Sequence, residues 1–274
     1  MPKDITTNDV KLHIEDHGGD GRPVVLIHGW PMSGKAWEKQ VPDLKSAGFR
    51  VITYDRRGFG ESEKPDSGYD YDTLADDLHG IVTELELEDA SLVGFSMGGG
   101  EVARYIARHG DDHLHSVVFA AAVPPYMMKT EDNPDGPLTP DAAQELEAGL
   151  KKDRDAFFDD FTKNFFSADG ELKVSEEDRQ KAIKLCKQSD QTAALGCMEA
   201  FGTTDFRADL AKVQTKCLVI HGDSDAIVPI EGSGERTKTV VVHAELEVLE
   251  GAPHGCNVSH PEAFNEVLLK FLHR

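Results

Sequence analysis

The chain predicts an α/β fold: a mostly parallel, twisted sheet of about eight strands flanked by helices, with one α-helical insertion. Three observations carry this. Short β-branched runs recur along the chain, segments with helical apolar stripes lie between them, and a stretch of roughly ninety residues lacks any buried strand. At 274 residues with 39% apolar content, the chain is long enough for one large α/β core plus an insertion.

The elements follow in order. Val10 to Asp16 alternates apolar and polar residues, as a half-exposed strand does, and Asn8-Asp9 as a turn pairs it with Ile5 and its neighbours in a hairpin. Val24–Ile27 is a continuous apolar run, the pattern of a strand buried on both faces. Arg50–Tyr54, Ser91–Val93, Ser116–Phe119 and Cys217–Ile220 read the same way. Glu245–Leu249 alternates and belongs near an edge. Helices are expected over Gly34–Ala47, Tyr71–Leu87, Met97–Arg108 and Pro261–Leu272; Tyr71, Leu74, Leu78, Ile81, Val82 and Leu85 form an apolar stripe at helical spacing. From about Val123 to Val213 the rhythm breaks. Pro124-Pro125 and the loop 133–137 lead into charged helical patterns rich in phenylalanine (Phe157, Phe158, Phe161, Phe165, Phe166). The expected division is a core of residues 1–122 and 214–274, with residues 123–213 as a helical cap over the C-terminal edge of the sheet.

The formal net charge of −21 argues against nucleic acid or an anionic membrane surface as partner, favours solubility, and accords with tolerance of high salt. The four cysteines (Cys186, Cys197, Cys217, Cys256) include no CxxC pair and no zinc spacing, so reduced thiols and a cytoplasmic location are expected. The opening stretch Met1–Thr7 has no apolar core of the secretory type. Val117–Val123 is far short of the ~20 residues that span a bilayer.

The chemistry centres on Gly94-Phe95-Ser96-Met97-Gly98, a G-x-S-x-G pattern between a strand and a helix. A serine on such a turn stands above the sheet, beside the positive end of the following helix. An incidental serine in a glycine-rich turn would give the same pentapeptide, so the remaining parts of a site decide. A serine nucleophile needs a histidine base, and the base needs an acid that fixes its tautomer; in sheets of this type the chain order is serine, acid, histidine. The segment 221–229 after the Cys217–Ile220 strand offers Asp223 and Asp225. Of the later histidines, His243 precedes a strand, His260 starts the last helix and His273 is next to the final residue. His254 lies on a loop just past the Glu245–Leu249 strand, able to return to Ser96. An oxyanion hole needs two backbone N–H groups. Met97, after the serine, supplies one, and the loop His28-Gly29-Trp30-Pro31 supplies the other. Pro31 has no N–H, which leaves Trp30 as the donor.

With these residues placed, the chain resembles the α/β-hydrolase superfamily over nearly its whole length. More narrowly it is similar to the bacterial cofactor-free haloperoxidases, or perhydrolases, and their aryl esterase relatives. The stretches that carry the resemblance are 28–31, Tyr54-Asp55-Arg56-Arg57-Gly58-Phe59-Gly60-Glu61-Ser62, 94–100, 102–106, Thr204-Asp205-Phe206-Arg207 and 221–229. The resemblance implies Ser96, Asp225 and His254 as triad, the Trp30 and Met97 amides as oxyanion hole, a helical cap, and no metal, haem or other cofactor. It implies an acyl-enzyme on Ser96, formed from small-molecule esters or short carboxylic acids, that water converts to acid and hydrogen peroxide to peracid. Peracid then oxidises bromide or chloride in solution, and the halide need not bind the protein. Within this family a proline beside the oxyanion tryptophan goes with peracid formation, which marks Pro31 as the residue that tunes perhydrolysis. Cys256 departs from the bulkier apolar residue expected there, which bears on pocket shape. Val123, Met127, Phe157, Phe161, Phe201, Ile227 and Val228 are the candidate walls of a small apolar pocket.

Competing readings are a plain carboxylesterase or lactonase with incidental peroxide chemistry, a non-catalytic ligand-binding protein on the same fold, and a redox protein using Cys197 or Cys256. A dehalogenase is disfavoured, because that family's nucleophile is an aspartate. A homo-oligomer is compatible with the sequence.

Overall fold

A computed structural model describes residues 2–274. Its main sheet has eight strands in the order β1-β2-β4-β3-β5-β6-β9-β10. The strands are β1 (Pro2–Thr7), β2 (Val10–Asp16), β3 (Pro23–Ile27), β4 (Arg50–Tyr54), β5 (Ala90–Phe95), β6 (Leu114–Ala120), β9 (Lys216–Gly222) and β10 (Glu245–Leu249). A separate hairpin of two-residue strands, β7 (Ser167–Ala168) and β8 (Glu171–Leu172), lies in the insertion. β1 and β2 pair antiparallel through Thr7↔Val10, and Asn8 and Asp9 both take positive φ (48° and 57°), the geometry of a two-residue hairpin turn. β2 meets β4 antiparallel; every other pair in the sheet is parallel. β10 is an edge strand.

Helices α1 (Val41–Ser46), α2 (Tyr71–Glu84) and α3 (Met97–His109) pack the sheet as crossover connections between parallel strands, and α11 (Pro261–Leu272), after the last strand, packs against β9 and β10. Asp70 caps α2 by accepting from Thr73 N–H at 3.0 Å. The single helix expected over Gly34–Ala47 is instead a 3₁₀ turn, Gly34–Trp37, followed by the separate α1. Pro42 explains the break: it has no N–H to donate into a preceding turn, and it sits in the first turn of α1, where none is needed.

Between β6 and β9 lie α4 (Pro140–Lys152), α5 (Arg154–Phe166), α6 (Glu176–Gln188), α7 (Gln191–Thr203) and the short α8 (Arg207–Leu210). Each of the four long ones opens on a side chain that caps it: Thr139, Asp153, Ser175 and Asp190. Between β9 and the C-terminus, α9 (Gly234–Val240) and α10 (Cys256–Ser259) complete the set. One contiguous apolar cluster runs from the sheet into the insertion through Trp30, Phe158 and Phe165. All four cysteines are buried and free. Among the described residues no helix is long and apolar enough to cross a membrane.

Candidate active site

β5 ends at Phe95 and α3 begins at Met97, so Ser96 makes the whole turn, at φ 53° and ψ −119°. A non-glycine residue in that region costs on the order of 1–3 kcal/mol and persists only where the surroundings hold it. Here Ser96 N–H donates to Ala120 O at 2.9 Å, and Ser96 O accepts from Gly99 N–H (3.0 Å) and Val123 N–H (3.2 Å). The flanking glycines allow the approach: a Cβ on Gly94 would stand 2.4 Å from Gly98 O, and one on Gly98 would stand 2.5 Å from Ile27 O.

His254, on the loop after β10, puts Nε2 3.0 Å from Ser96 Oγ and Nδ1 2.7 Å from Asp225 Oδ2. Asp225 follows β9. Its Oδ1 accepts from Ile227 N–H (2.9 Å) and Val228 N–H (2.8 Å), so the carboxylate is held by the backbone on one side and faces the imidazole on the other. Burial pushes this carboxyl up, but His254, His221 and the hydrogen bonds outweigh it and hold Asp225 below the ordinary carboxylate range. An ionised Asp225 only accepts, so His254 carries its proton on Nδ1 and Nε2 is left to accept from the Ser96 hydroxyl. Asp223 sits apart: it is exposed and its Oδ1 accepts from Gly251 N–H at 2.7 Å, a local turn contact. The His254 ring is clasped by Phe165, edge-on at 4.9 Å between centroids, and by Phe95 at 5.3 Å.

Two further side chains were not singled out by motif reasoning. His221, buried at the end of β9, donates through Nε2 to Val228 O at 2.8 Å, and the same atom lies 3.3 Å from Asp225 Oδ2. Its Nδ1 has no partner among the described residues. Glu101, on α3, is fully buried and pairs with Arg56; Tyr54 OH donates to it at 2.6 Å. Arg56 in turn donates its backbone N–H to His28 Nε2 (3.0 Å) and its guanidinium to His28 O (2.6 Å). His28 donates from Nδ1 to Gly29 O at 2.9 Å; burial and the neighbouring Arg56 hold it well below the usual imidazole range, hence neutral. A charged residue inside an otherwise glycine-rich and apolar helix start was the available signal for Glu101.

This network underlies the loop that carries Trp30. The Trp30–Pro31 peptide is cis, Met32 N–H closes the turn onto Gly29 O at 3.1 Å, and Trp30 Nε1 donates to Ala194 O on α7 at 2.9 Å. Among the described residues nothing accepts from the Trp30 or Met97 backbone N–H. Met97 is also the first residue of a thirteen-residue helix, whose leading N–H groups have no partner within the helix.

Above Ser96 and His254 lies a cavity of about 260 Å³. Trp30, Val123, Met127, Phe157, Phe161, Phe201, Ile227 and Val228 all line it. So do Pro137, Leu138, Leu146, Met198 and Ala226, which sequence reasoning did not select. The side chain of Cys256 is fully buried at the start of α10 and does not line the cavity, so the departure at 256 bears on packing beneath the His254 loop rather than on pocket shape. Burial pushes its thiol well above the ordinary range, and it pushes Cys197 up to about 12, as in inert structural cysteines.

The sequence model of the alpha/beta hydrolase fold family matches residues 22–261. The chain is 42% identical to a non-heme chloroperoxidase of Kitasatospora aureofaciens, with all of both chains covered. It is 37% identical to a bifunctional esterase/perhydrolase of Acinetobacter calcoaceticus, with 98% of each chain covered. The crystal structure of a bromoperoxidase from Bacillus anthracis superposes over the full length of both chains, with a TM-score of 0.97 and 48% identity.

Proposed function

Since the chain belongs to the α/β-hydrolase fold family, with haloperoxidase and esterase relatives, we propose that it is a serine hydrolase that makes an acyl-enzyme on Ser96 and hands the acyl group to water or to hydrogen peroxide. The observation that carries this reading is the chain of contacts from Ser96 Oγ through His254 to Asp225, at 3.0 and 2.7 Å, beside two backbone N–H groups that have no partner among the described residues. In this reading residues 123–213 cap a core made of residues 1–122 and 214–274.

His254 Nε2 takes the Ser96 proton as Oγ attacks the ester carbonyl. Asp225 stabilises the imidazolium, and the Trp30 and Met97 amides receive the oxyanion. His254 then returns the proton to the leaving alcohol. Water attacking the acyl-enzyme gives the carboxylic acid; hydrogen peroxide attacking the same carbon gives the peracid, and Ser96 regains its proton through His254. A short carboxylic acid can load the enzyme in reverse, with loss of water. Released peracid transfers one oxygen to bromide or chloride in solution, giving hypohalous acid and the carboxylate, with no halide site required. Pro31, next to the oxyanion tryptophan, tunes the choice between peroxide and water. The apolar cavity suits short acyl groups and excludes bulk water from the intermediate.

The test measures p-nitrophenyl acetate hydrolysis beside bromination of a dye in acetate buffer with bromide and peroxide. Both activities, with bromination requiring acetate and both lost in Ser96→Ala, are the expected result. Hydrolysis without acetate-dependent bromination would make the protein a plain esterase, and neither activity would overturn the reading.

A further inference from the structure

The cavity at Ser96 is small. Pockets that enclose a drug-sized ligand run to about 300–1,000 Å³, and this one, at about 260 Å³, takes a short acyl group but not an extended ester. A second, larger cavity of about 570 Å³ lies on the far side of one wall, between α4 and α7. Leu138, Leu146, Met198 and Phe201 line both cavities. The partition is thus a single layer of side chains, and none of the four is fixed by a side-chain hydrogen bond. Met198, unbranched and able to change rotamer, stands in that layer.

We propose that the chamber between α4 and α7 is an outer substrate subsite, which receives the distal arm of esters too long for the inner cavity. This inference rests on the functional reading above and names the substrate class of the same site. The chamber's apolar surface comes from Met128, Leu195 and the shared partition. Its charge comes from Asp66, Glu147 and Glu199, all exposed, against the single cation Lys151, which pairs with Glu147. The uncompensated charge is negative, so an anionic terminus is repelled. The substrates that fit are esters of longer-chain acids whose distal end is neutral or cationic. Monoesters of long dicarboxylic acids, whose free carboxylate would enter the chamber, are poor fits by the same argument.

Ala143 on α4 faces the outer chamber and does not line the inner cavity. In Ala143→Trp the ratio of kcat/KM for p-nitrophenyl octanoate to that for p-nitrophenyl acetate should fall by about tenfold or more, the scale on which one pocket contact discriminates. Leu195→Trp, entering the chamber from α7, should lower the same ratio. In Glu199→Lys, a p-nitrophenyl monoester of an eight-carbon dicarboxylic acid should gain on the neutral octanoate ester, and added salt should erase the gain. An octanoate-to-acetate ratio that neither tryptophan moves overturns the outer subsite while leaving the Ser96 chemistry intact. A parent protein that hydrolyses acetate but rejects octanoate also overturns it. Absence of acetate hydrolysis in the parent protein overturns the functional reading instead.

Discussion

Asp225→Asn is a nearly isosteric change whose effect can be worked out atom by atom. The aspartate divides its oxygens: Oδ1 serves the Ile227 and Val228 amides, and Oδ2 serves His254. An asparagine can place its oxygen on only one side. If the oxygen faces His254, its NH₂ is aimed at the buried Val228 N–H and the half-buried Ile227 N–H, and at ~1–3 kcal/mol for an unsatisfied buried group that orientation costs at least about 1–3 kcal/mol. If the oxygen stays with the backbone, the NH₂ points at His254 Nδ1. His254 then only has to move its proton to Nε2 to accept, which costs no hydrogen bond to the protein. The second arrangement wins. It is also inactive, because a protonated Nε2 cannot take the Ser96 proton. kcat for p-nitrophenyl acetate should therefore fall by about 10³–10⁴, the loss known when a triad acid becomes an amide in a serine protease. Asp223→Asn, which alters only the turn at Gly251, should stay close to the parent. Circular dichroism is the check that both variants are folded. A loss of less than tenfold in Asp225→Asn would refute the tautomer argument.

Other consequences are measurable. Pro31→Leu should lower the ratio of perhydrolysis to hydrolysis, read as peracid against acid released from one ester in the presence of peroxide; an unchanged ratio would separate Pro31 from peroxide selection. Glu101→Gln leaves the Arg56 charge buried with half its pairing gone and should destabilise the fold by about 3–5 kcal/mol in urea denaturation. Asp225 has a folded pKa below its unfolded value near 3.8. Its contribution to stability is thus fully present above about pH 4 and is lost as pH falls through the folded value. The stability gap between the parent and Asp225→Asn should accordingly narrow as urea midpoints are followed from pH 6 down to pH 3.

The sheet was legible because strands buried on both faces leave continuous apolar runs that little else produces: Val24–Ile27 and Cys217–Ile220 lie in β3 and β9. The hairpin at Asn8-Asp9 was legible because few residues accept positive φ at two successive positions. Chain order and the strands each residue follows led to Ser96, to His254 and to the pair Asp223 and Asp225, of which the fold brings Asp225 to His254 and leaves Asp223 in a turn. The Gly34–Ala47 segment departs from the single helix expected because the position of a missing backbone donor, at Pro42, decides where the helix can begin. His221 stayed hidden because its role depends on a contact between the end of a strand and the loop beyond it, which no spacing encodes. In the insertion, Leu146 and Met198 face the cavity because of how α4 and α7 pack against each other. A helical period fixes which residues share a face, not what that face meets.

The Gly255 amide donates to Phe165 O at 2.8 Å, and a Cβ at 255 would overlap the Phe166 ring. The end of α5 is thereby stitched to the loop that carries His254, with the Phe165 ring laid against the imidazole. The insertion is for this reason not an exchangeable module. Grafting another protein's helices onto this sheet, however well they reshaped the pocket, would remove the splint that holds His254. A chimera that transplanted specificity would need to carry the 165–166 pair and the glycine at 255 across together, or it would inherit a new pocket over a misaligned histidine.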